Sequence, residues 1–455
     1  MSNQERLISL DVFRGMTIAG MVLVNNPGSW SHIYGPLKHA PWHGITPTDY
    51  IFPFFLFIVG VAVPIALGKR MAEGITRDVY VKILSRSAAI FATGLALSAF
   101  PLFDIGKTAI PAFFKWTAVF VIIAGLFFLF LRKFKIAAAL FGVWALILII
   151  SYSSGYEIVP YNFGTMRIPG VLQRIAVCYL IVSLIYLHTG WVKQLFIGIG
   201  LLLLYWLLMT AVPVPGCDIT TIDDKACNLA AWLDRTILTE AHIWRSAKVF
   251  DPEGILSTLP AIVTTLSGVL TGTWLMRKEE TGRQEDRDVS EHEEKETNVS
   301  RRDNSPLNKV AGMFFFGTVL LALGWSWSLV FPLNKSLWTS SYVLYTSGLA
   351  LLTLACCYWL IDIKGYKRWS KPFVVFGVNA LALFVFSGFM ARILGIIKLA
   401  GPDGKEISLQ KWIFDNLFLT WAEPVNASLA YALCFIAFWW FLMLFLYRRR
   451  ILIKF

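Results

Sequence analysis

Charged residues are scarce in this sequence. Asp, Glu, Lys and Arg together make up 15% of its 455 residues, whereas soluble domains carry about 25%. Apolar residues make up 56% of the chain, and the mean hydropathy is +0.62. A soluble monomer of this composition would have to expose apolar patches larger than such proteins tolerate. The composition therefore excludes an ordinary soluble domain and indicates that lipid solvates much of the surface.

Other absences narrow the class of protein further. The N-terminal stretch lacks both a basic region and a small-residue cleavage site, so its apolar run is predicted to be a retained helix, not a signal peptide. The six cysteines show no metal-binding spacing, and four of them lie in apolar runs, where cysteine acts as a small apolar side chain. The net charge of +12 does not require nucleic acid, because Lys and Arg collect in the cytoplasmic loops of membrane proteins.

Long apolar runs predict an all-α, polytopic transmembrane bundle of about twelve spans, each of roughly 20 residues. Basic residues cluster after the second, fourth and tenth runs and at the C-terminus, which all fall on one side of a twelve-span chain. The positive-inside rule therefore predicts that both termini are cytoplasmic. The predicted spans are residues 7–25, 49–68, 79–100, 112–131, 135–152, 171–188, 193–212, 255–276, 309–331, 341–361, 372–394 and 428–447.

The polar segments divide the chain into three predicted parts. Residues 1–276 hold eight spans, and residues 309–455 hold four. Residues 277–308 are dense in mixed charge and are predicted to form a disordered cytoplasmic linker. The loop 213–254 has enough apolar residues to pack as a cap on the outer face. Cys217 and Cys227 lie in this loop, and their spacing alone leaves a disulfide and two free thiols equally open.

The short loop between the first two spans carries the strongest candidates for chemistry. His39 and His43 stand four residues apart among Pro, Gly and Trp, and histidine is the commonest general base. Interfacial histidines without a catalytic role are the alternative, and His-x₃-His without a third ligand is a weak metal signal. Asp49 opens the second span, where it caps the helix, orients a histidine, or does both. Asn25 ends the first span.

Two charged residues at the inner end of the first span form a further candidate site. Asp11 and Arg14 are three residues apart and therefore share one helix face. They form either an internal ion pair or a site where Arg14 meets an anion that arrives from the cytoplasm.

Charged residues also flank the outer ends of the sixth and eighth spans. Arg167 and Arg174 lie in the segment MRIPGVLQRIA, and Arg174 should need a partner because charge is costly at membrane depth. Asp251 and Glu253 begin the eighth span, where acids are ordinary helix-start residues. A cationic ligand is the alternative partner for these two carboxylates.

Seven ordered motifs resemble the heparan-α-glucosaminide N-acetyltransferase family. The resemblance extends from about residue 6 to the C-terminus, and seven motifs in order are far more specific than any single one. The motifs are RLISLDVFRGMTIAGMVLVNNPG, KHAPWHGITPTDYIFPFFLFIVG, RIPGVLQRIAVCYL, PVPGC, DPEGILST, PLNKSLWTSSYVL and DIKGY.

The resemblance implies a reaction and some of its residues. Family members transfer acetyl from cytosolic acetyl-CoA to an amino sugar across the membrane. No metal is expected at the site. The family's active-site histidine matches His39, and its asparagine near the acetyl group matches Asn25. The roles of the remaining charged residues are inferred from their chemistry and not taken from the family. Asp49 is expected to assist His39, Asp11 and Arg14 to bind acetyl-CoA, and Arg167, Arg174, Asp251 and Glu253 to bind the acceptor. With PVPGC matching as well, Cys217 and Cys227 are predicted to form a disulfide.

Departures from the family suggest a bacterial inner-membrane relative. Residues about 107–165 resemble an extra helical hairpin, and the sequence starts directly at the first motif without a luminal domain. The expected partners are an amino-sugar or glycan acceptor and membrane lipid, and a homodimer is compatible with the sequence. The alternatives are a secondary transporter and a noncatalytic membrane subunit of envelope glycan assembly. Against a transporter, the two halves share no repeated motif.

Overall fold

The computed structural model describes residues 7–277, 305–401 and 404–453, which form fifteen α-helices and one β-hairpin. The helices are α1 (Ile8–Asn25), α2 (Ile51–Ala72), α3 (Arg77–Ala99), α4 (Ala112–Phe130), α5 (Phe134–Ser153), α6 (Val171–His188), α7 (Trp191–Ala211), α8 (Leu229–Leu238), α9 (Thr258–Leu275), α10 (Pro306–Trp327), α11 (Ser340–Cys357), α12 (Lys371–Val378), α13 (Ala380–Ile396), α14 (Leu409–Ile413) and α15 (Pro424–Arg448). The strands β1 (Lys398–Ala400) and β2 (Glu406–Ser408) pair antiparallel.

Eleven helices in the described ranges are long and apolar enough to cross a bilayer. Their apolar side chains face both the interior of the bundle and its surface, as expected of a protein that lipid surrounds. The prediction of an all-α, polytopic membrane protein is confirmed.

The predicted span 372–394 is not one straight helix. It breaks into α12 and α13 at Asn379, with a bend of 79° between the two parts. The side chain of Asn379 binds the C-terminal segment at the break: its amide donates to the carbonyl of Ile451 at 3.1 Å, and its oxygen accepts from the N–H of Ile453 at 3.0 Å. The side chain of Asn379 therefore fastens the C-terminal segment to the helix break.

Helices α2 and α9 approach each other closely because glycine lines their contact. A Cβ atom at Gly60 would overlap the carbonyl oxygen of Thr265, and one at Gly268 would overlap that of Phe57. Small residues permit such close packing between membrane helices. This contact fixes the start of α2 relative to the start of α9, and both starts carry candidate site residues.

Four loops meet on one face of the bundle, here called the site face. They are residues 26–50, 154–170, 212–257 and 328–339. Hydrogen bonds join them: Trp42 donates through Nε1 to the carbonyl of Ile222 at 2.9 Å, and Gly44 donates to the carbonyl of Leu333 at 2.8 Å. The predicted cap, 213–254, lies within the third loop and contains α8. The predicted disulfide between Cys217 and Cys227 is confirmed.

The predicted linker 277–308 falls largely outside the described residues. On its C-terminal side, Lys309 in α10 donates through Nζ to the carbonyls of Leu275 at 3.1 Å and Arg277 at 2.7 Å. This lysine caps the end of α9, so the two halves of the bundle are joined directly by side-chain contact as well as by the chain between them.

Candidate active site

The loop before α2 is shaped around the carboxylate of Asp49. A capping box forms between Thr46 and Asp49 in the 3₁₀ turn Pro47–Tyr50. One carboxylate oxygen, Oδ2, accepts from the backbone N–H groups of Ala40 at 3.1 Å and Thr46 at 3.0 Å, and also from the Thr46 hydroxyl at 3.0 Å. These bonds bring residue 40 back over the start of α2 and so determine where His39 lies.

His39 binds the other oxygen of the same carboxylate. Its Nδ1 lies 2.6 Å from Oδ1 of Asp49. The side chain of Asp49 is 1% exposed, whereas that of His39 is 49% exposed. Because an ionised carboxylate only accepts, Nδ1 carries the proton and Nε2 keeps its lone pair. The capping and histidine-orienting roles expected of Asp49 both occur.

Lys335 is a third member of this cluster and is not among the site residues predicted from the sequence. Its Nζ lies 3.0 Å from Nδ1 of His39 and 3.5 Å from Oδ1 of Asp49. Burial lowers the pKa of Lys335, and Asp49 and Glu253 act in the opposite direction. Two features of the sequence could have indicated it. Lys335 belongs to the motif PLNKSLWTSSYVL, and it is the one basic residue of a loop predicted to lie on the membrane side opposite the Lys- and Arg-rich loops.

Arg167 forms a second ionic cluster on the site face. Its Nε and Nη2 donate to both carboxylate oxygens of Asp251 at 2.9 and 2.6 Å, and Nη2 also reaches Glu253. Burial acts to lower the pKa of Arg167, but Glu253 and Asp251 outweigh it and raise that pKa. The side chain of Asp251 is fully buried and that of Glu253 is 11% exposed. Of the two predicted acceptor carboxylates, Glu253 is therefore the more accessible.

Asp234 in α8 positions these two acids. Its carboxylate accepts from the backbone N–H groups of Asp251 at 3.3 Å and Ile255 at 2.9 Å, which fastens the cap to the segment before α9. Burial raises the pKa of Asp234 to about 6, against the effect of the hydrogen bond from Ile255.

Two curated relatives match most of the chain, and both are named heparan-alpha-glucosaminide N-acetyltransferase. The Homo sapiens protein is 26% identical over 433 residues, which cover 84% of this chain and 52% of that protein. The Mus musculus protein is 24% identical over 428 residues, which cover 84% of this chain and 53% of that protein. The chain is related to these N-acetyltransferases at the family level. It spans about half the length of the relatives it matches. No family model matches it.

The resemblance drawn from the motifs is thus confirmed. The two site residues carried over from it, His39 and Asn25, lie in different environments. His39 lies at the centre of the cluster just described. Asn25 is exposed at the last residue of α1, and within the described ranges no hydrogen bond joins it to His39. The role of Asn25 near an acetyl group remains a prediction for this family relative.

The expected need of Arg174 for a partner is met only in part. This buried residue donates from Nη2 to the carbonyl of Gly254 at 3.1 Å and to the hydroxyl of Ser257 at 2.5 Å. Its guanidinium lies over the ring of Trp338 at 5.1 Å. Nε and Nη1 make no hydrogen bond to any described residue. Arg174 therefore supports the loop before α9 from inside the bundle.

Asp11 and Arg14 form the ion pair that was one of the two expectations, at 3.2 Å. They lie near the start of α1, at the opposite end of that helix from the His39 loop. The structure therefore places the predicted acetyl-CoA residues and the predicted base at opposite ends of one span.

The cap contacts the His39 loop at two neighbouring residues, Trp42 and His43. His43 binds Asp223 through Nε2 at 2.8 Å, and its Nδ1 lies 3.3 Å from the amide of Asn334. Trp42 packs edge-on against Phe250 at 5.1 Å. His43 therefore makes a structural contact between the His39 loop and the cap. Among the described residues, no group of three or more His, Cys, Asp or Glu side chains could hold a metal ion.

Proposed function

We propose that this integral membrane protein is an acetyltransferase that moves an acetyl group from cytosolic acetyl-CoA to an amino sugar on the opposite side of the membrane. The relatives' printed activity supports the reaction class. The observation that carries the proposal is the 2.6 Å contact between Nδ1 of His39 and the buried carboxylate of Asp49, with the imidazole half exposed.

This pair has the properties of a general base. An amine that attacks a thioester carbonyl must lose a proton, and a neutral imidazole can accept it at Nε2. Asp49 holds the ring in the tautomer that leaves Nε2 free and stabilises the imidazolium that forms. His39 is the proposed base and Asp49 its orienting partner. Asn25 is a proposed further donor near the acetyl group.

The acceptor is proposed to bind on the site face beside Glu253. This carboxylate retains partial exposure and belongs to the same site face as Lys335 and His39, where it can accept from an ammonium or hydroxyl group of a sugar. Arg167 holds Glu253 and Asp251 in place, and Arg174 holds the loop that carries them. Arg14 at the other end of α1 is the proposed contact for a phosphate of CoA, because guanidinium matches phosphate geometry.

The proposed location is the cytoplasmic membrane of a bacterium, with the site face on the outer side. The relative scarcity of basic residues in loops 26–48 and 332–340 supports this orientation. A secondary transporter remains the second candidate, because the broken span at Asn379 resembles the interrupted helices of transporters. A transporter would move its substrate without forming an acetylated product.

Acetyl transfer by the purified, full chain tests the proposal. We expect labelled acetyl-CoA to acetylate at least one member of a panel of amino sugars in nanodiscs. His39→Ala should lower kcat by about 10²–10⁴-fold, the usual contribution of a general base. Binding of acetyl-CoA should change little.

His43→Ala is the matched control, because that histidine lies four residues away and contacts the cap. It should cost much less activity than His39→Ala. Absence of transfer to every acceptor would reject the enzyme assignment. Transfer that persists unchanged in a folded His39→Ala protein would reject the proposed base.

A further inference from the structure

Two loops far apart in sequence bring a cation and a base together. Lys335 and His39 are separated by 296 positions, yet Nζ lies 3.0 Å from Nδ1 and 3.5 Å from Nε2 of the imidazole. The lysine side chain is 21% exposed and the imidazole is 49% exposed. The ammonium therefore lies within 3.5 Å of Nε2, the nitrogen at which a substrate would lose its proton.

The backbone around Lys335 is held firmly. Asn334 accepts from the N–H of Leu337 at 2.9 Å, and Thr339 donates through its hydroxyl to the carbonyl of Pro332 at 2.8 Å. The N–H of Gly44 binds the carbonyl of Leu333, which ties this loop to the His39 loop. A lysine on such a support presents its charge at a fixed place, as electrostatic catalysis requires.

The ammonium has donor capacity to spare. It carries three protons. In the described part of the chain, Asp49 is the one carboxylate within 4.0 Å of Nζ, at 3.5 Å. The contact with Nδ1 of His39 consumes none of the lysine protons. Nδ1 already carries a hydrogen, which it donates to Asp49, so it has no lone pair to accept another. At least one N–H of Lys335 is therefore available to a substrate oxygen.

We propose that Lys335 is a catalytic residue whose ammonium stabilises the negative charge that develops on the acetyl carbonyl oxygen. This inference rests on the proposed acetyl transfer. Since Nζ and Nε2 are 3.5 Å apart, a thioester whose attacking amine lies at Nε2 can place its carbonyl oxygen within hydrogen-bond reach of Nζ. The lysine would thus serve as the oxyanion donor of the site, beside or in place of Asn25.

The step balances without a further reactant. The acceptor amine attacks the thioester carbon, a C–N bond forms, and the carbonyl electron pair moves onto oxygen beside Lys335. His39 takes the amine proton at Nε2. The oxyanion then collapses, the C–S bond breaks, and the proton on His39 passes to the departing thiolate. The products are the N-acetylated acceptor and CoA with a free thiol.

The proposal has a distinctive consequence for pH dependence, because Lys335 must stay protonated. The charged groups that face it are His39 and Asp49 from the loop before α2 and Glu253, itself paired with Arg167, from the loop before α9. Burial lowers the pKa of Lys335 from its ordinary 10.5. Activity should therefore fall on an alkaline limb that begins below that value, as the ammonium loses its proton.

The test compares Lys335→Met with Lys335→Arg in the full chain, with Lys398→Met on the exposed face of β1 as control. Lys335→Met should lower kcat by about 10²–10³-fold, the usual effect of losing an oxyanion donor, with little change in the KM for acetyl-CoA. Its remaining activity should lack the alkaline limb. Lys335→Arg should keep more activity and move that limb to higher pH, because guanidinium stays charged.

The outcomes separate this inference from the proposed function. Wild-type transfer together with a folded Lys335→Met protein that keeps the wild-type kcat, or the wild-type alkaline limb, would overturn the role of Lys335 alone. A rise in KM with kcat unchanged would also overturn it, since that pattern marks substrate binding and not transition-state stabilisation. No transfer by the wild type would reject the proposed function itself.

Discussion

The imidazole of His39 is fixed at one nitrogen and open at the other. Asp49 provides that fixation, and its own position is set by the N–H groups of Ala40 and Thr46. Tyr342 adds to the support by donating its hydroxyl to the backbone carbonyl of Asp49 at 2.6 Å. A buried carboxylate with this many donors has little freedom to turn, so the ring that it binds is held as well.

Asp49→Asn removes the negative charge of this residue and keeps its shape. The amide fills the same space, but it can present an N–H to Nδ1 and so favour the tautomer with the proton on Nε2. We expect kcat for acetyl transfer to fall at least about 10²-fold while acetyl-CoA binding is retained. Steady-state kinetics and a binding titration on the folded variant measure both quantities.

Asp223→Asn is the matched control, because Asp223 binds the neighbouring His43 and is 72% exposed. Its loss of activity should be small. If Asp49→Asn kept the kcat of the wild type, His39 would not depend on this carboxylate for its tautomer.

Sequence reasoning found the part of the site that is local in the chain. His39 and Asp49 are ten residues apart across one short loop, so a contact between them could be expected before the fold was known. Lys335 could not be placed beside them, because the contact depends on how α2, α9 and α11 pack and no local pattern encodes it. Asn25 came from the family resemblance alone; its side chain is exposed at the end of α1, and its role stays a prediction.

At the scale of the helices, the close contact between α2 and α9 joins two helices whose starts both carry site residues. Asp49 lies just before α2, and the segment with Asp251 and Glu253 lies just before α9. Gly268 packs so tightly on α2 that any side chain there would meet the backbone of Phe57. Backbone atoms cannot move aside as a flexible side chain can, so the helices would have to separate.

Gly268→Leu should therefore destabilise the bundle, by about 1–3 kcal/mol or more as overpacking usually does. Gly142→Leu in α5 is the control, because nothing lies within 4 Å of a Cβ atom added there. Thermal unfolding in detergent should show a lower midpoint for Gly268→Leu alone. Equal midpoints for the two variants would mean that α2 and α9 can separate without cost.

The helices themselves were largely predictable, because apolar runs of the right length mark them in the sequence. The break at Asn379 was not, because apolar residues flank this amide on both sides within the run 372–394. The cause lies about 72 residues away, where the backbone of Ile451 and Ile453 satisfies the Asn379 side chain. Only the folded C-terminus supplies those partners.

At the scale of the whole molecule, the proposed CoA contact and the proposed base lie at opposite ends of α1, and the proposed reaction has to connect them. The ion pair of Asp11 and Arg14 lies near the start of this helix, and the His39 loop follows its end. A helix of 18 residues is about 27 Å long at 1.5 Å per residue. If CoA binds at the first end and the acceptor at the second, the acetyl group has to reach the site face through the bundle.

The orientation that this requires can be measured directly. The background is a chain in which Cys178, Cys356, Cys357 and Cys434 are replaced by Ala while the disulfide of the cap is kept. Phe163→Cys adds an exposed thiol to the site face, and Arg450→Cys adds one after α15 at the other end. The positive-inside rule predicts that the basic C-terminal end lies in the cytoplasm. We therefore expect a membrane-impermeant maleimide to label Phe163→Cys in intact cells, and Arg450→Cys only after the cells are permeabilised. Labelling of Arg450→Cys in intact cells would invert the orientation, and His39 would then face the cytoplasm together with acetyl-CoA.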